Sequence, residues 1–459
     1  MKKDVDMLSG SIVKGLVTIA IPIMVMNVLQ SLFNIVDMTV LKMFDTSGGY
    51  TVGAVGTCSM IITLITGLLT GVSSGANVVI SRHLGSGDKE RTERAIGSSV
   101  LISLVGGFLL LIIGVSFAEV FLKWNNCPEQ LLPDAALYFR LYFVGVPISM
   151  LYNFCASILR SKGDSRSTMI YSTVAGVLKV IFTFVFVAFF KMQVAGVAIA
   201  TILSWAVCTV LAVAKLLRSD SVVKIKLNRI RFYRREIRDI LTVGVPTGLQ
   251  QAMYAIANVI ISATVNTFGP DATTGISIAN TFDGILYQIS VAPSLAVMSY
   301  VSQNVGHGNI KRAKESVYKG MIITICLGAG FGALSAIFSS QLSSIMASNP
   351  AVIAYSRQKM IIISSTYFIC GINEIICAAM RGMGKPIVPT VCAMLYFCAL
   401  RFVWVYAIFP LYRNLTFLYL VWPIGWVLSI ATLLFFYFPR VKQLTALCKR
   451  REKEVNIPT

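Results

Sequence analysis

The chain has 459 residues, of which 56% are hydrophobic and 13% charged, about half the charged share of an ordinary soluble domain. So little polar surface excludes a string of soluble domains, and the same numbers exclude disorder. Forty Lys and Arg against twenty Asp and Glu leave a net charge of +20, an excess whose meaning depends on where it falls along the chain.

A membrane-crossing helix needs ~20 mostly apolar residues. Runs that meet this lie at 14–40, 52–80, 96–121, 135–159, 169–190, 194–217, 238–266, 275–302, 315–340, 352–380, 387–410 and 415–438. Twelve spans are therefore predicted. Spans five and six are parted only by Lys191-Met192-Gln193, which requires a tight hairpin. Spans eleven and twelve are parted at Leu411–Asn414, with Pro410 and Arg413 as the break. Met1–Ser11 is polar and leads into a long apolar run, so no cleavable signal peptide is expected. The ten cysteines form no C-x-x-C and no Cys/His cluster, so neither a metal site nor a redox site is predicted.

Basic residues set the orientation. With the N-terminus in the cytoplasm, the segments on that side hold 31 Lys and Arg, against Lys42, Lys123, Lys191 and Arg413 in the opposite loops. Both termini and the basic stretch Lys215–Arg238 are predicted to be cytoplasmic, in a multi-pass protein of the plasma (inner) membrane. Topology and anionic lipid then account for the charge, and no nucleic-acid partner is expected.

Ser81–Asp88, SRHLGSGD, recurs as Ser302–Asn309, SQNVGHGN, 221 residues later. Leu159–Gly163 recurs as Met380–Gly384 at the same offset, and Ile21-Pro22 as Val245-Pro246 at an offset of 224. The chain thus reads as two copies of a six-span unit. An even span count gives both copies one orientation, the parallel repeat of transporters with a site between the halves. The divisions predicted are an N-terminal lobe at 1–217, a basic linker at 218–237, a C-terminal lobe at 238–440 and a tail at 441–459.

Polar groups inside spans are costly and by default functional. Asn27, Gln30, Asn34 and Asp37 lie 3, 4 and 3 residues apart in span one, on one helix face. The repeat places Gln251, Tyr254, Asn258 and Ile261 at the matching positions, so the stripe recurs and the acid does not. Span eight carries Asn280, Asp283 and Tyr287, and span ten carries Tyr367 and Glu374. Acid with tyrosine suits a cationic aromatic ligand. Lys179 in span five and Arg401 in span eleven occupy equivalent places in the repeat and need partners. Asp37 is predicted to pair with Lys179, and Glu374 with Arg401.

Ala20-Ile21-Pro22, Asn34-x-x-Asp37, the two S-x-x-x-G-x-G-[DN] loops, Ala198–Thr201, Pro246 with Gln250-Gln251, Arg381-Gly382-x-Gly384 and Arg401 occur in this order. The pattern, over about residues 10–440, resembles the multidrug and toxic-compound extrusion (MATE) family. The resemblance implies an all-α integral membrane fold with twelve transmembrane helices, in two parallel six-helix lobes around a central cavity. It also implies export of mostly cationic organic compounds by antiport with H+ or Na+. Thr201 matches a site threonine of the family. The family's N-x-x-x-D in span five is here Lys179 and Thr183, so a sodium site of two carboxylates does not carry over. Gln250 and Gln251 stand where some branches have a glutamate.

The function expected is secondary-active multidrug efflux by alternating access between the two lobes, by a monomer in contact with membrane lipid. H+ or Na+ is the coupling ion, and no other cofactor is expected. A lipid-linked saccharide flippase of the same architecture is the alternative, though it calls for a strongly basic cavity. No nucleophile–base pair, metal cluster or nucleotide-binding loop points to an enzyme.

Overall fold

A computed structural model describes residues 5–44, 50–125, 127–219 and 221–455. Residues 1–4 of the predicted N-terminal segment and 456–459 of the predicted tail lie outside the described residues. Lipid offers no partner for backbone N–H and C=O, so spans must satisfy these groups internally. The chain does so with helices: α1 Ile12–Met43, α2 Tyr50–Gly85, α3 Lys89–Ser116, α4 Ala118–Trp124, α5 Leu132–Ser161, α6 Ser165–Phe184 and α7 Gln193–Arg218. There follow α8 Arg234–Asn266, α9 Pro270–His307, α10 Ile310–Ile337, α11 Ser339–Met346, α12 Pro350–Ser364 and α13 Tyr367–Gly382. The last are α14 Ile387–Ala393, α15 Leu400–Val403, α16 Leu415–Tyr419 and α17 Val421–Val455.

Among the described residues, ten helical stretches are long and apolar enough to cross a membrane. The pair α12–α13, bent by 46° at Ser365 and Thr366, brings the number to eleven. The remaining predicted span corresponds to α8, whose apolar run is diluted by Gln250, Gln251 and Asn258. The predicted hairpin after span five is built with left-handed backbone at Lys191 (φ 54°) and Gln193 (φ 46°). Span five ends in a π-helical turn, Val185–Phe189, and span eleven contains one in a near-equivalent place, Trp404–Ile408.

The chain forms two compact units. The first comprises Met1–Met24, Ser81–Gly87 and Leu249–Thr459, and the second Val25–Ile80 and Asp88–Gly248. In the first unit, Ile12, Leu16, Ile19 and Ile23 of α1 pack with Ala296, Val297 and Tyr300 of α9 and Ile375, Ile376 and Ala379 of α13. In the second, the rings of Phe139 and Phe143 on α5 lie 4.6 Å apart, both fully buried.

The repeated S-x-x-x-G-x-G-[DN] motif is a helix stop followed by a helix start. Gly87 (φ 73°) and Gly308 (φ 86°) break α2 and α9 in the left-handed region that glycine enters freely. Asp88 then caps α3 by accepting from the Arg91 N–H at 2.9 Å, and Asn309 caps α10 by accepting from the Arg312 N–H at 3.0 Å. The earlier glycine of each motif serves close packing. A Cβ on Gly85 would lie 1.9 Å from the Gln303 carbonyl oxygen, and one on Gly306 2.1 Å from that of Arg82. Gly85 and Gly306 are 221 residues apart, as are Arg82 and Gln303, so the two loops pack reciprocally within the first unit. In the second unit, α2 and α8 meet through Gly71, Gly75, Gly244 and Gly248. A Cβ on Gly71 would lie 2.2 Å from the Gly248 Cα, the small-residue spacing that lets helix backbones touch in a membrane.

Candidate functional site

In the second unit, α1 and α6 bring four of the predicted residues together. Asp37 is buried. Its Oδ2 lies 2.5 Å from Lys179 Nζ, and its Oδ1 accepts from Thr183 Oγ1 at 2.9 Å. Lys179 Nζ also donates to Asn34 Oδ1 at 3.1 Å. Lys179 and Thr183 stand one turn apart on α6, and Asn34 and Asp37 about one turn apart on α1, so the two faces mesh. Thr201 is buried on α7 but gives its hydroxyl to the Val197 carbonyl at 2.9 Å. Gln30 is exposed and Asn27 half-buried.

The first unit repeats part of this arrangement. Arg401 Nη1 donates to Asn258 Oδ1 at 2.8 Å, as Lys179 does to the equivalent Asn34. Where α1 has Asp37, α8 has the buried Ile261. The predicted Glu374–Arg401 pair does not form. Glu374 accepts from the Tyr254 hydroxyl at 2.9 Å and lies 3.9 Å from Arg381 Nη2. Arg381 Nη2 also donates to Gln250 Oε1 at 2.7 Å, and Gln250 Nε2 donates to the Tyr254 hydroxyl at 2.9 Å. The chain Arg381–Gln250–Tyr254–Glu374 is thus closed by the ion pair. The physical reason is helical register. Arg381 lies in the last turn of α13, not in a loop, two turns beyond Glu374 on the same face.

Lys359 on α12 is a further buried base, one that sequence reasoning missed. Its Nζ lies 2.9 Å from Asp283 Oδ2 and donates to Asn280 Oδ1. A lysine inside a predicted span is itself the signal that would have found it. Both Lys359 Nζ and the Arg401 guanidinium lie over the Trp422 ring, 5.8 and 4.7 Å from its centroid. Tyr367 turns to the Asp283 carbonyl, at 3.1 Å, and not to Glu374. Asn258 and Asn280 are exposed, and Gln251, Tyr254 and Tyr287 half-buried.

Outside the spans, Asp164 caps α6. It accepts from the Ser167 N–H at 3.1 Å and hydroxyl at 2.9 Å, and from Lys215 Nζ at 2.6 Å. Burial alone would lift its carboxyl, but the Lys215 ammonium and the two Ser167 bonds outweigh burial and hold it below the usual range.

Apolar spans, a doubled helical unit and charged pairs buried inside the spans define a polytopic membrane transporter. The MatE family model matches residues 22–185 and 246–407, one match in each half of the chain. The chain belongs to the MatE family, the multidrug and toxic-compound extrusion transporters. It is 25% identical to a probable multidrug resistance protein, YpnP, of Bacillus subtilis, over 87% of this chain and 89% of that one. It is 22% identical to a protein of Shewanella oneidensis named FAD transporter, over 84% and 86%. Among solved structures, a MOP superfamily transporter from Pyrococcus furiosus, described as having a binding pocket of reverse polarity that suggests a different function, superposes with a TM-score of 0.90. That match covers 97% of this chain and 99% of the other at 21% identity, a likeness of fold. Proteins of this family are membrane transporters, which supports a non-enzymatic reading.

Proposed function

We propose that this protein is a secondary-active exporter that moves small organic compounds out of the cell in exchange for H+, or Na+. It would work as a plasma-membrane monomer with both termini in the cytoplasm. The observation that carries the reading is the Asp37 site, a buried carboxylate held by Lys179 at 2.5 Å and Thr183 at 2.9 Å. A proton taken by Asp37 removes the charge that holds the ammonium, and Asn34, already 3.1 Å from Lys179 Nζ, is the fallback partner. The α1–α6 contact then has two charge states, which an ion gradient can bias toward different conformations. The ammonium occupies the place beside the carboxylate that a sodium ion would need, which favours H+ as the coupling ion.

Cationic cargo is expected if Asp37, Asp283 and Glu374 stand open. Each has a basic neighbour, at 2.5, 2.9 and 3.9 Å respectively, which weakens their pull on a cation. The relative named FAD transporter and the neighbour described as having reversed pocket polarity are further reasons to test cargo of either sign. The name of the Bacillus subtilis relative favours export over flipping of a lipid-linked saccharide.

Everted membrane vesicles carrying the protein test this reading. Dye uptake should follow an imposed H+ gradient, collapse with a protonophore and fail in Asp37→Asn. Uptake indifferent to both H+ and Na+ gradients would refute it.

A further inference from the structure

We infer that the first unit binds an aromatic organic anion, a carboxylate or phosphate carried on a ring system, at Arg401, Lys359 and Trp422. The inference deepens the exporter reading and rests on it for transport, while the binding step stands on the residues themselves.

The repeat supplies the comparison. In the second unit the cation–amide pair Lys179–Asn34 is completed by Asp37, 2.5 Å from the ammonium. In the first unit the equivalent pair, Arg401–Asn258 at 2.8 Å, has Ile261 where the acid would stand. The two buried acids of this unit are engaged, Glu374 by Tyr254 and Arg381, and Asp283 by Lys359. Among the described residues, three buried bases, Lys359, Arg381 and Arg401, therefore face two buried acids. Arg401 is the base with no carboxylate within 4.0 Å among the described residues. It is only 4% exposed. A guanidinium does not escape the cost of burial by losing its proton, and a charge kept inside a span is by default functional. The missing counter-ion is supplied by the ligand.

The surroundings suit an anion with a ring. Guanidinium carries five N–H donors in a planar fork that matches carboxylate and phosphate, and one of them is spent on Asn258. The half-buried Trp422 ring lies against Arg401 and Lys359, 4.7 and 5.8 Å from its centroid, and offers a surface for stacking. Asn258 and Asn280, which hold the two cations, are exposed while the cations are buried. A neutral amide is the weaker partner, so an entering anion can displace it from the guanidinium.

Equilibrium binding to the purified full-length protein tests this with two matched probe pairs. Fluorescein, a carboxylate, is compared with rhodamine 6G, a cation on the same xanthene core. Riboflavin 5′-phosphate is compared with uncharged riboflavin. At least one anionic probe should bind about tenfold or more tightly than its matched partner, the size expected for one charge-assisted hydrogen bond. Preference confined to one pair identifies the anionic group as carboxylate or phosphate. Arg401→Gln should remove that preference and Arg401→Lys retain most of it. Rhodamine 6G and riboflavin binding as tightly as their anionic partners would overturn the inference without any variant. So would an unchanged anion affinity in Arg401→Gln. Gradient-driven flux of the same probes in proteoliposomes separates the two readings. Preferential anion binding with no gradient-driven flux of any probe refutes the exporter and keeps the site, whereas rhodamine 6G flux together with no preferential anion binding refutes the site and keeps the exporter.

Discussion

Lys179 and Arg401 hold equivalent asparagines in the two repeats, yet only Lys179 has an acid beside it. The difference at a single matched position, Asp37 against Ile261, gives the two cations different partners. If Asp37 and Lys179 neutralise each other, removing either one strands a buried charge, at about 3–5 kcal/mol, while removing both is near neutral. Asp37→Asn and Lys179→Asn should each lower the melting temperature of the purified protein more than the double variant does. Strict additivity of the two changes would show that the residues do not interact. The Asp37–Lys179 pair was legible in the sequence because each stands alone among its sign deep in its half of the chain. The partner of Glu374 was not legible. Sequence leaves open whether Arg381 closes a helix or opens a loop, and one turn of helix decides which side chain Glu374 meets. Trp422 gave no signal at all, because a tryptophan in an apolar span reads as packing until the cations over its ring are located.

At the scale of elements, two contacts are expected to dominate local stability. The α2–α8 crossing depends on Gly71, where a Cβ would lie 2.2 Å from the Gly248 backbone. Gly71→Leu should cost roughly 1–3 kcal/mol or more through overpacking, read as a lower melting temperature in detergent. Gly56→Ala, where a Cβ meets nothing within 4 Å, is the control and should change little. The second contact is the Asp164 cap on α6, tied to α7 through Lys215. Its carboxyl is held below the usual carboxylate range in the folded protein. The stabilisation it gives is therefore present above the unfolded value of about 4 and is lost as pH falls through the lowered folded value. Asp164→Ala should reduce stability at neutral pH by about 0.5–2 kcal/mol, and the gap to the unaltered protein should close on acidification. A gap that widened instead would contradict this account of the cap. Helices and their repeat were readable, because long apolar runs and the doubled motif each have a direct physical cause. The bend at Ser365–Thr366 and the π-helical turns Val185–Phe189 and Trp404–Ile408 were not, since they carry no Pro or Gly of their own to mark them in the sequence.

Over the whole molecule, hydropathy alone undercounts what the repeat predicts. Among the described residues ten to eleven stretches are apolar enough to cross a membrane, and α8 falls short because its polar stripe is the repeat of the one in α1. The same stripe that marks the site blurs the span. Orientation is a separate expectation, resting on the placement of basic residues. A single cysteine at Ser221, in an otherwise cysteine-free background, should react with an impermeant maleimide only after the cells are permeabilised. Labelling of intact cells would reverse the orientation of every span. The central claim is that Asp37 exchanges a proton as cargo moves. Its most direct test is internal pH, recorded in proteoliposomes with no gradient imposed, when a transported substrate is added outside. The protein as it stands should move protons opposite to substrate, and Asp37→Asn should show no such exchange. Substrate flux with no accompanying proton movement, or with undiminished proton movement in Asp37→Asn, would contradict the account.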